Sequence, residues 1–271
     1  MGEHIRYYSF PMMGVEPMSA STARSYPRHT HDQYGIGIVD SGGHASWSGR
    51  GAVEAGPGDF ICVNPGEVHD GRALAHRPRT WRILYFDPSL VQHLHTDIAE
   101  VTPTSFMFMK PVFLDQRLRR TFNSAFGFVH EREAAESDNL GCETAILMLV
   151  AGLRAHSTAV PGRSQRTTPR IRRARARIDD DPTARQSLGD LAHEAGVSRY
   201  QLLRGFAREL GLTPHAYVLQ RRIAMARRLI RAGSSLSEAA LASGFCDQSH
   251  LNRVFLRQFG VTPGRYASHS G

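Results

Sequence analysis

Ser187-Leu-Gly-Asp-Leu-Ala-His-Glu-Ala-Gly-Val-Ser198 and, 48 residues on, Ser235-Leu-Ser-Glu-Ala-Ala-Leu-Ala-Ser-Gly-Phe245 state one pattern twice. Leu188, Ala192 and Gly196 recur as Leu236, Ala240 and Gly244. Further along, Phe206, Gly211, Thr213, Pro214 and Tyr217 recur as Phe255, Gly260, Thr262, Pro263 and Tyr266, now at a shift of 49. A repeat of this length is one supersecondary unit used twice. The second copy carries one extra residue just after its turn.

Each copy reads as two short helices around a glycine. Leu188, Leu191 and Ala192 face inward, and the small Ala192 lets a second helix cross closely. Gly196 ends the first helix because glycine takes positive φ at little cost. Val197 fills the turn, Ser198 caps the next helix, and Leu202, Leu203 and Phe206 face the core. The second copy repeats this with Leu236, Ala240, Gly244, Phe245, Leu251, Val254 and Phe255. The unit is a helix-turn-helix, whose second helix enters the major groove led by its N-terminal residues. The candidate DNA contacts are Ser198, Arg199, Tyr200, Gln201 and Arg204 in the first copy, and Gln248, Ser249, His250, Asn252 and Arg253 in the second. Arginine suits guanine, glutamine and asparagine suit adenine, and hydroxyls and spare arginines suit the backbone. Asp247 reads as the cap of its own helix.

Between the copies, Pro214 to Arg231 predicts a connecting helix. Tyr217, Leu219, Ile223, Ala226, Leu229 and Ile230 supply its apolar contacts, with Arg221, Arg222, Arg227 and Arg228 outside. At about 1.5 Å per residue it spans about 27 Å. Successive major grooves on one DNA face lie about 34 Å apart. One chain can therefore offer both recognition helices to one site.

The charge supports a nucleic-acid partner. Residues 1–160 carry 14 Lys+Arg against 17 Asp+Glu, a net of −3; residues 161–271 carry 19 Arg against 8 Asp+Glu, a net of +11, which together give +8. A basic segment joined to a mildly acidic one is the footprint of a DNA-binding part beside a different one. Arg170, Arg172, Arg173, Arg175 and Arg177 form a basic helix that either touches phosphates or lies in solvent. No run of 18 apolar residues occurs, so no membrane helix is expected. The first residues lack a basic-then-apolar leader, so a cytoplasmic protein is expected. Cys62, Cys142 and Cys246 show neither disulfide nor zinc spacing.

The first half reads as short strands between turns. Tyr34-Gly-Ile-Gly-Ile-Val39 alternates and stops at Asp40-Ser-Gly-Gly43; Phe60-Ile-Cys-Val63 is bracketed by Pro-Gly and Asn-Pro; Trp81 to Phe86 is a further strand. This spacing, from about Arg24 to Asp87, suggests a small sandwich or barrel. Leu114, Leu118, Phe122, Phe126 and Val129 then mark a helical face, and a second helix starts at Ser137 or Asp138 and runs to about Leu153. Ala155 to Pro169 is polar, carries proline and glycine, and reads as a tether.

Two resemblances follow from these residues. His29-Thr-His31, Pro57-Gly-Asp59 and Asn64-Pro-Gly-Glu-Val-His69 resemble the cupin barrel of AraC-family sensor domains. The segment from Arg170 to Tyr266, with its A-x-x-x-G-V-S, G-F-x-D-x-S-x-L-x-R-x-F and paired G-[LV]-T-P-x-x-Y motifs, resembles the AraC/XylS-family DNA-binding domain of seven helices. The resemblance implies an α+β multidomain regulator. Residues 1–153 would be a cupin-like β-barrel with two following helices that binds a small effector and forms a homodimer. Residues 154–169 would be the linker, and 170–271 the double helix-turn-helix. Promoter DNA, a small-molecule effector and a second protomer are the implied partners, with RNA polymerase as a further one for an activator.

His29, His31, Tyr34, His69 and Trp81 are the candidate effector contacts. His29 and His31 share a face of one strand, and with His69 they bring three imidazoles together, which suits either effector hydrogen bonds or a divalent ion. Metal-binding cupins add a carboxylate after the H-x-H pair, where this chain has Gln33 and Tyr34. No metal, cofactor or catalytic residue is therefore assigned. A metal-dependent enzyme on a DNA tether is the alternative of another class. The N-terminal arm, to about residue 23, is expected to be a mobile reporter of occupancy.

Overall fold

The computed structural model describes residues 3–10, 12–48, 51–99, 106–131, 139–159 and 167–270. They group into two compact units, mainly residues 1–162 and residues 163–269.

The first unit has twelve strands, β1 (His4–Tyr7), β2 (Val15–Thr22), β3 (Tyr26–His29), β4 (Tyr34–Ser41), β5 (His44–Ser48), β6 (Gly51–Ala55), β7 (Phe60–Val63), β8 (His69–Ala73), β9 (Arg79–Phe86), β10 (Phe106–Phe108), β11 (Val112–Phe113) and β12 (Ser157–Ala159). It also has three helices, α1 (Pro88–Ala99), α2 (Gln116–Glu131) and α3 (Asn139–Leu153). The strands form a six-stranded sheet in the order β1-β2-β9-β4-β7-β11, a four-stranded sheet in the order β3-β8-β5-β6, and the pair β10-β12. The expected cupin-like barrel is thus corrected. Each sheet keeps two open edges and the ladders do not close on themselves, whereas a barrel needs continuous pairing around its circumference. The arm before residue 23 is also no loose reporter. β1 and β2 pair antiparallel from His4 opposite Ser21 to Tyr7 opposite Met18, and β2 lies against β9 along its whole length.

The alternation in β4 explains which face is covered. Ile36 and Ile38 join Phe60, Leu84 and Phe86 in a core closed by Val91 and Leu94 of α1, Leu118, Phe122 and Phe126 of α2, and Ile146, Leu149 and Leu153 of α3. Gly35 and Gly37 face the other way. A Cβ on Gly35 would meet Val63 at 2.7 Å and Tyr85 at 3.1 Å, so the glycines let the inner side chains of β9 lie across β4. The helical face of α2 runs as expected from Leu118 to Val129, but Leu114 precedes the helix and is exposed. The start expected for α3 at Ser137 or Asp138 lies outside the described residues, as does most of the tether. Helix α1 went unread, although Val91, Leu94 and Ile98 hold a helical spacing.

The second unit is all helical, with α4 (Pro169–Asp180), α5 (Leu188–Ala195), α6 (Arg199–Leu210), α7 (Pro214–Arg231), α8 (Leu236–Ala242), α9 (Gln248–Phe259) and α10 (Pro263–Ser270). Among the described residues no helix is long and apolar enough to cross a membrane.

Candidate functional site

The repeated sequence produces the same turn twice. Ser187 and Ser235 each form a capping box, with Asp190 and Glu238 respectively. These serines satisfy amide groups that the first helical turn leaves without partners. At the far end, Gly196 has φ 63° and Gly244 has φ 77°. Val197 N–H donates to Ala192 O and Phe245 N–H to Ala240 O, both at 3.0 Å. The 6→1 closure seen here is the Schellman pattern, which needs a left-handed residue. Ser198 then caps α6 in a box with Gln201, and Asp247 caps α9 by accepting from His250 N–H at 2.6 Å. The G-[LV]-T-P tails are a left-handed glycine followed by a threonine cap. Thr213 accepts from Ala216 N–H and Thr262 from Arg265 N–H.

The candidate DNA contacts divide by exposure. Ser198, Arg199, Tyr200, Gln201 and Arg204 are exposed at the start of α6. Tyr200 is 67% exposed, and the Arg204 guanidinium lies 5.7 Å from its ring centroid. The Gln201 carbonyl oxygen already accepts from Ser198 N–H at 3.0 Å, so the cap engages this side chain. On α9, Ser249 and Arg253 are exposed, whereas Gln248, His250 and Asn252 are half-buried. Gln248 Oε1 accepts from Ser237 Oγ at 2.9 Å. The His250 ring stands edge-on to Phe245 at 5.2 Å, and Asn252 Oδ1 is buried. Arg199, Tyr200, Arg204, Ser249 and Arg253 are thus the side chains most open to DNA.

Two details of the sequence reading need correction. Leu203 is 37% exposed, because the inward face of α6 is Leu202, Gly205, Phe206 and Leu210. Arg227 is buried, with Nε donating to Tyr266 Oη at 2.9 Å and its guanidinium over the rings of Phe259 and Tyr266.

The basic helix α4 is divided in the same way. Arg175 donates to Tyr217 Oη at 3.1 Å, and Tyr217 donates to Asp179 at 2.8 Å. Burial is the main cause that pushes the Tyr217 phenol up to about 12, so it stays a donor. Arg177 pairs with Glu194 at 3.0 Å. Arg170, Arg172 and Arg173 are exposed, and Arg170 and Arg173 line a groove with Tyr200, Arg204 and Arg208 of α6.

Arg222 is a residue the sequence reading placed outside. It donates through Nε to Pro182 O and through Nη1 to Gly244 O, both at 2.7 Å, and through Nη2 to Thr183 O and Ala184 O at 3.3 Å. One guanidinium thus ties the turn of the second helix-turn-helix to the loop that enters the first. No pattern in the repeat marks it, because its partners are all backbone oxygens.

In the first unit, β9 sorts the candidate ligand residues. Leu84 and Phe86 join the helix-covered core, while Arg79, Trp81, Ile83 and Tyr85 occupy the opposite face by the period of two. Tyr34 pairs with Phe86 across the ladder and so shares the helix side. It donates to Phe106 O at 2.6 Å and stands away from the face that carries Trp81. His31 and His69 stack at 5.1 Å, and His31 lies 5.0 Å from the Tyr85 ring. One ring nitrogen from each of His29, His31 and His69 lies within 4.8 Å of the others.

Three more residues belong to this face. Arg79 is fully buried and stacks on Trp81 at 4.8 Å, while its Nε donates to His44 Nδ1 at 2.9 Å. Burial, then the charges of Arg79 and His69, pull the His44 imidazole down to about 3, so it is neutral and accepts. The alternation of Arg79, Trp81 and Tyr85 along β9 was the signal for two of them; His44 had none.

Comparison with known proteins agrees with both halves. A model of the AraC-like ligand binding domain matches residues 14–150, and a helix-turn-helix domain model matches residues 191–269. The transcriptional activator RhaS of Escherichia fergusonii is 30% identical over 261 residues, covering 93% of this chain and 90% of its own. The regulator YbfI of Bacillus subtilis is 28% identical over 231 residues, covering 84% and 82%. Among solved structures, an apo point variant of ToxT from Vibrio cholerae has a TM-score of 0.59 at 12% identity, covering 97% of this chain and 100% of that one. Wild-type ToxT with an unsaturated fatty acid bound gives a TM-score of 0.54 at 14% identity, covering 94% of each chain.

Proposed function

The chain belongs to the AraC family of transcription regulators, and from that premise we propose how its two units divide the work. It is a sequence-specific DNA-binding regulator with an N-terminal ligand-binding domain, and it is not an enzyme. Residues 1–153 serve as the sensing and dimer-forming part, 154–169 as the linker and 170–271 as the part that reads DNA. The observation that carries the reading is the inequality of the two recognition helices. Arg199, Tyr200 and Arg204 lead one, Ser249 and Arg253 the other. Two different surfaces select an asymmetric sequence; a non-specific binder has no need of them. In a mobility-shift titration at physiological salt, the cognate promoter is expected to bind at least about 10³-fold tighter than unrelated DNA. Equal affinity for both would favour a non-specific architectural role.

The sensing site is formed by His29, His31, His69 and Trp81, with Tyr85, Arg79 and His44 added and Tyr34 removed. Its wall is more polar than a fatty-acid tunnel requires, so the fatty acid of ToxT is not carried over. An effector acts by binding two arrangements of the protein unequally. Activation, as in RhaS, with RNA polymerase as partner, is the proposed outcome.

The dimer surface is assigned to the outer sides of α2 and α3. Helix α3 buries Ile146, Leu149, Val150 and Leu153, yet Leu140 is 74% and Met148 59% exposed. With Phe128 of α2 they line an open apolar groove. A helix apolar on both sides calls for a second partner. Leu140→Asp with Met148→Asp is expected to give monomers in analytical ultracentrifugation, with the far-UV spectrum kept. A dimer that survives both changes would remove this surface from the reading.

A further inference from the structure

We infer that His29, His31 and His69 form a site for one divalent transition-metal ion. The inference rests on the reading of the first unit as the sensor, and goes beyond it by naming a class of ligand. Three imidazoles from separate points of the chain converge with one ring nitrogen each within 4.8 Å of the others. His29 and His31 are buried and His69 is half-buried.

The carbonyls behind the rings fix which nitrogen serves. His29 Nδ1 lies 2.7 Å from Pro27 O, and His69 Nδ1 lies 3.0 Å from Glu67 O. A carbonyl oxygen only accepts, so each Nδ1 carries the proton and each Nε2 carries the lone pair. Both rings use the carbonyl two residues upstream. A backbone carbonyl on the far nitrogen is the usual way a ligating histidine is held in tautomer and angle. A third tie sets the spacing of the pieces. His31 O accepts from Gly66 N–H at 2.7 Å, which pins the turn that leads into His69.

The donor set decides the metal. Three neutral imidazoles with no carboxylate or thiolate suit zinc, cobalt, nickel or copper, and not magnesium or calcium, which take oxygen ligands. Three protein ligands leave a fourth position for water or for an effector that offers an oxygen or nitrogen. The carboxylate that seemed missing after His31 is therefore not required for binding.

The test is titration of the chelator-treated full chain with cobalt(II). One equivalent should bind with an intense visible d–d band, and zinc should displace it. His29→Ala and His69→Gln should each weaken binding by more than about 100-fold, beyond the 10–100-fold typical of losing a group that only supports a ligand. Circular dichroism on each variant shows that the fold is kept. His93→Ala is the control, because His93 and Asp97 form an exposed i,i+4 pair at 3.6 Å that offers a surface alternative. No band, or binding untouched by the two variants, or binding lost in His93→Ala, would overturn the site. If one cobalt binds through the three histidines but promoter affinity is the same with and without it, the metal site stands and the sensing role fails.

Discussion

Gly244→Ala is expected to destabilise the helical unit by roughly 3 kcal/mol or more, while the same change at Gly196, its counterpart 48 residues earlier, costs about 1–2 kcal/mol. Both glycines are left-handed, so both carry the φ penalty. Their surroundings differ. A Cβ at Gly196 meets nothing within 4 Å, whereas at Gly244 it meets Arg222 Cζ and Nε and Thr183 Cα, each at 3.1 Å. The second penalty therefore comes from displacing Arg222, whose guanidinium holds four carbonyls. Arg222→Ala is the companion change. It leaves those oxygens without the charged donor, and a hydrogen bond to a charged group contributes about 1.5–3 kcal/mol. Chemical denaturation of the three variants checks the order Gly196→Ala, then Gly244→Ala. Equal losses at the two glycines would show that the contact with Arg222 carries no energy.

Phe255→Ala should be as severe, at about 3–5 kcal/mol. Phe255 is fully buried, with Phe259 at 4.5 Å and Tyr266 at 5.4 Å between ring centroids. Its loss opens a cavity in the second helix-turn-helix, and the ring stack that backs α9 goes with it. Phe206 is its counterpart, also fully buried, with Tyr217 at 6.1 Å. Phe206→Ala should cost a comparable amount. A thermal midpoint within a few degrees of the parent for either variant would mean that the core is not organised by these repeated positions.

The repeat was the most legible part of the sequence because its signals are local. A serine before a helix, a glycine after it and a threonine-proline pair each act within four residues, so spacing alone announces them. The first unit was less legible for the opposite reason. Strand alternation correctly separated Ile36 and Ile38 from the glycines between them, but it says nothing about which strands pair. Sheets of six and four strands were therefore read as one barrel. The same limit misplaced Tyr34, whose face is set by its ladder partner Phe86. His29, His31 and His69 were found because their residue type is rare and their spacing tight. Arg222 and His44 were missed because their roles come from backbone carbonyls and a buried arginine far away in sequence. Leu203 and Arg227 erred for one reason: residue type was allowed to decide burial, where helix phase and a stacked pair of rings decide it.

The central claim is that one protomer reads two successive major grooves with two unequal helices. Hydroxyl-radical footprinting of the full chain on its promoter tests it most directly. The account predicts two protected patches per protomer on one face of the duplex, about one helical turn apart. Arg253→Ala should weaken one patch, and Arg204→Ala the other. A single protected groove per protomer, or even protection along the whole fragment, would contradict it.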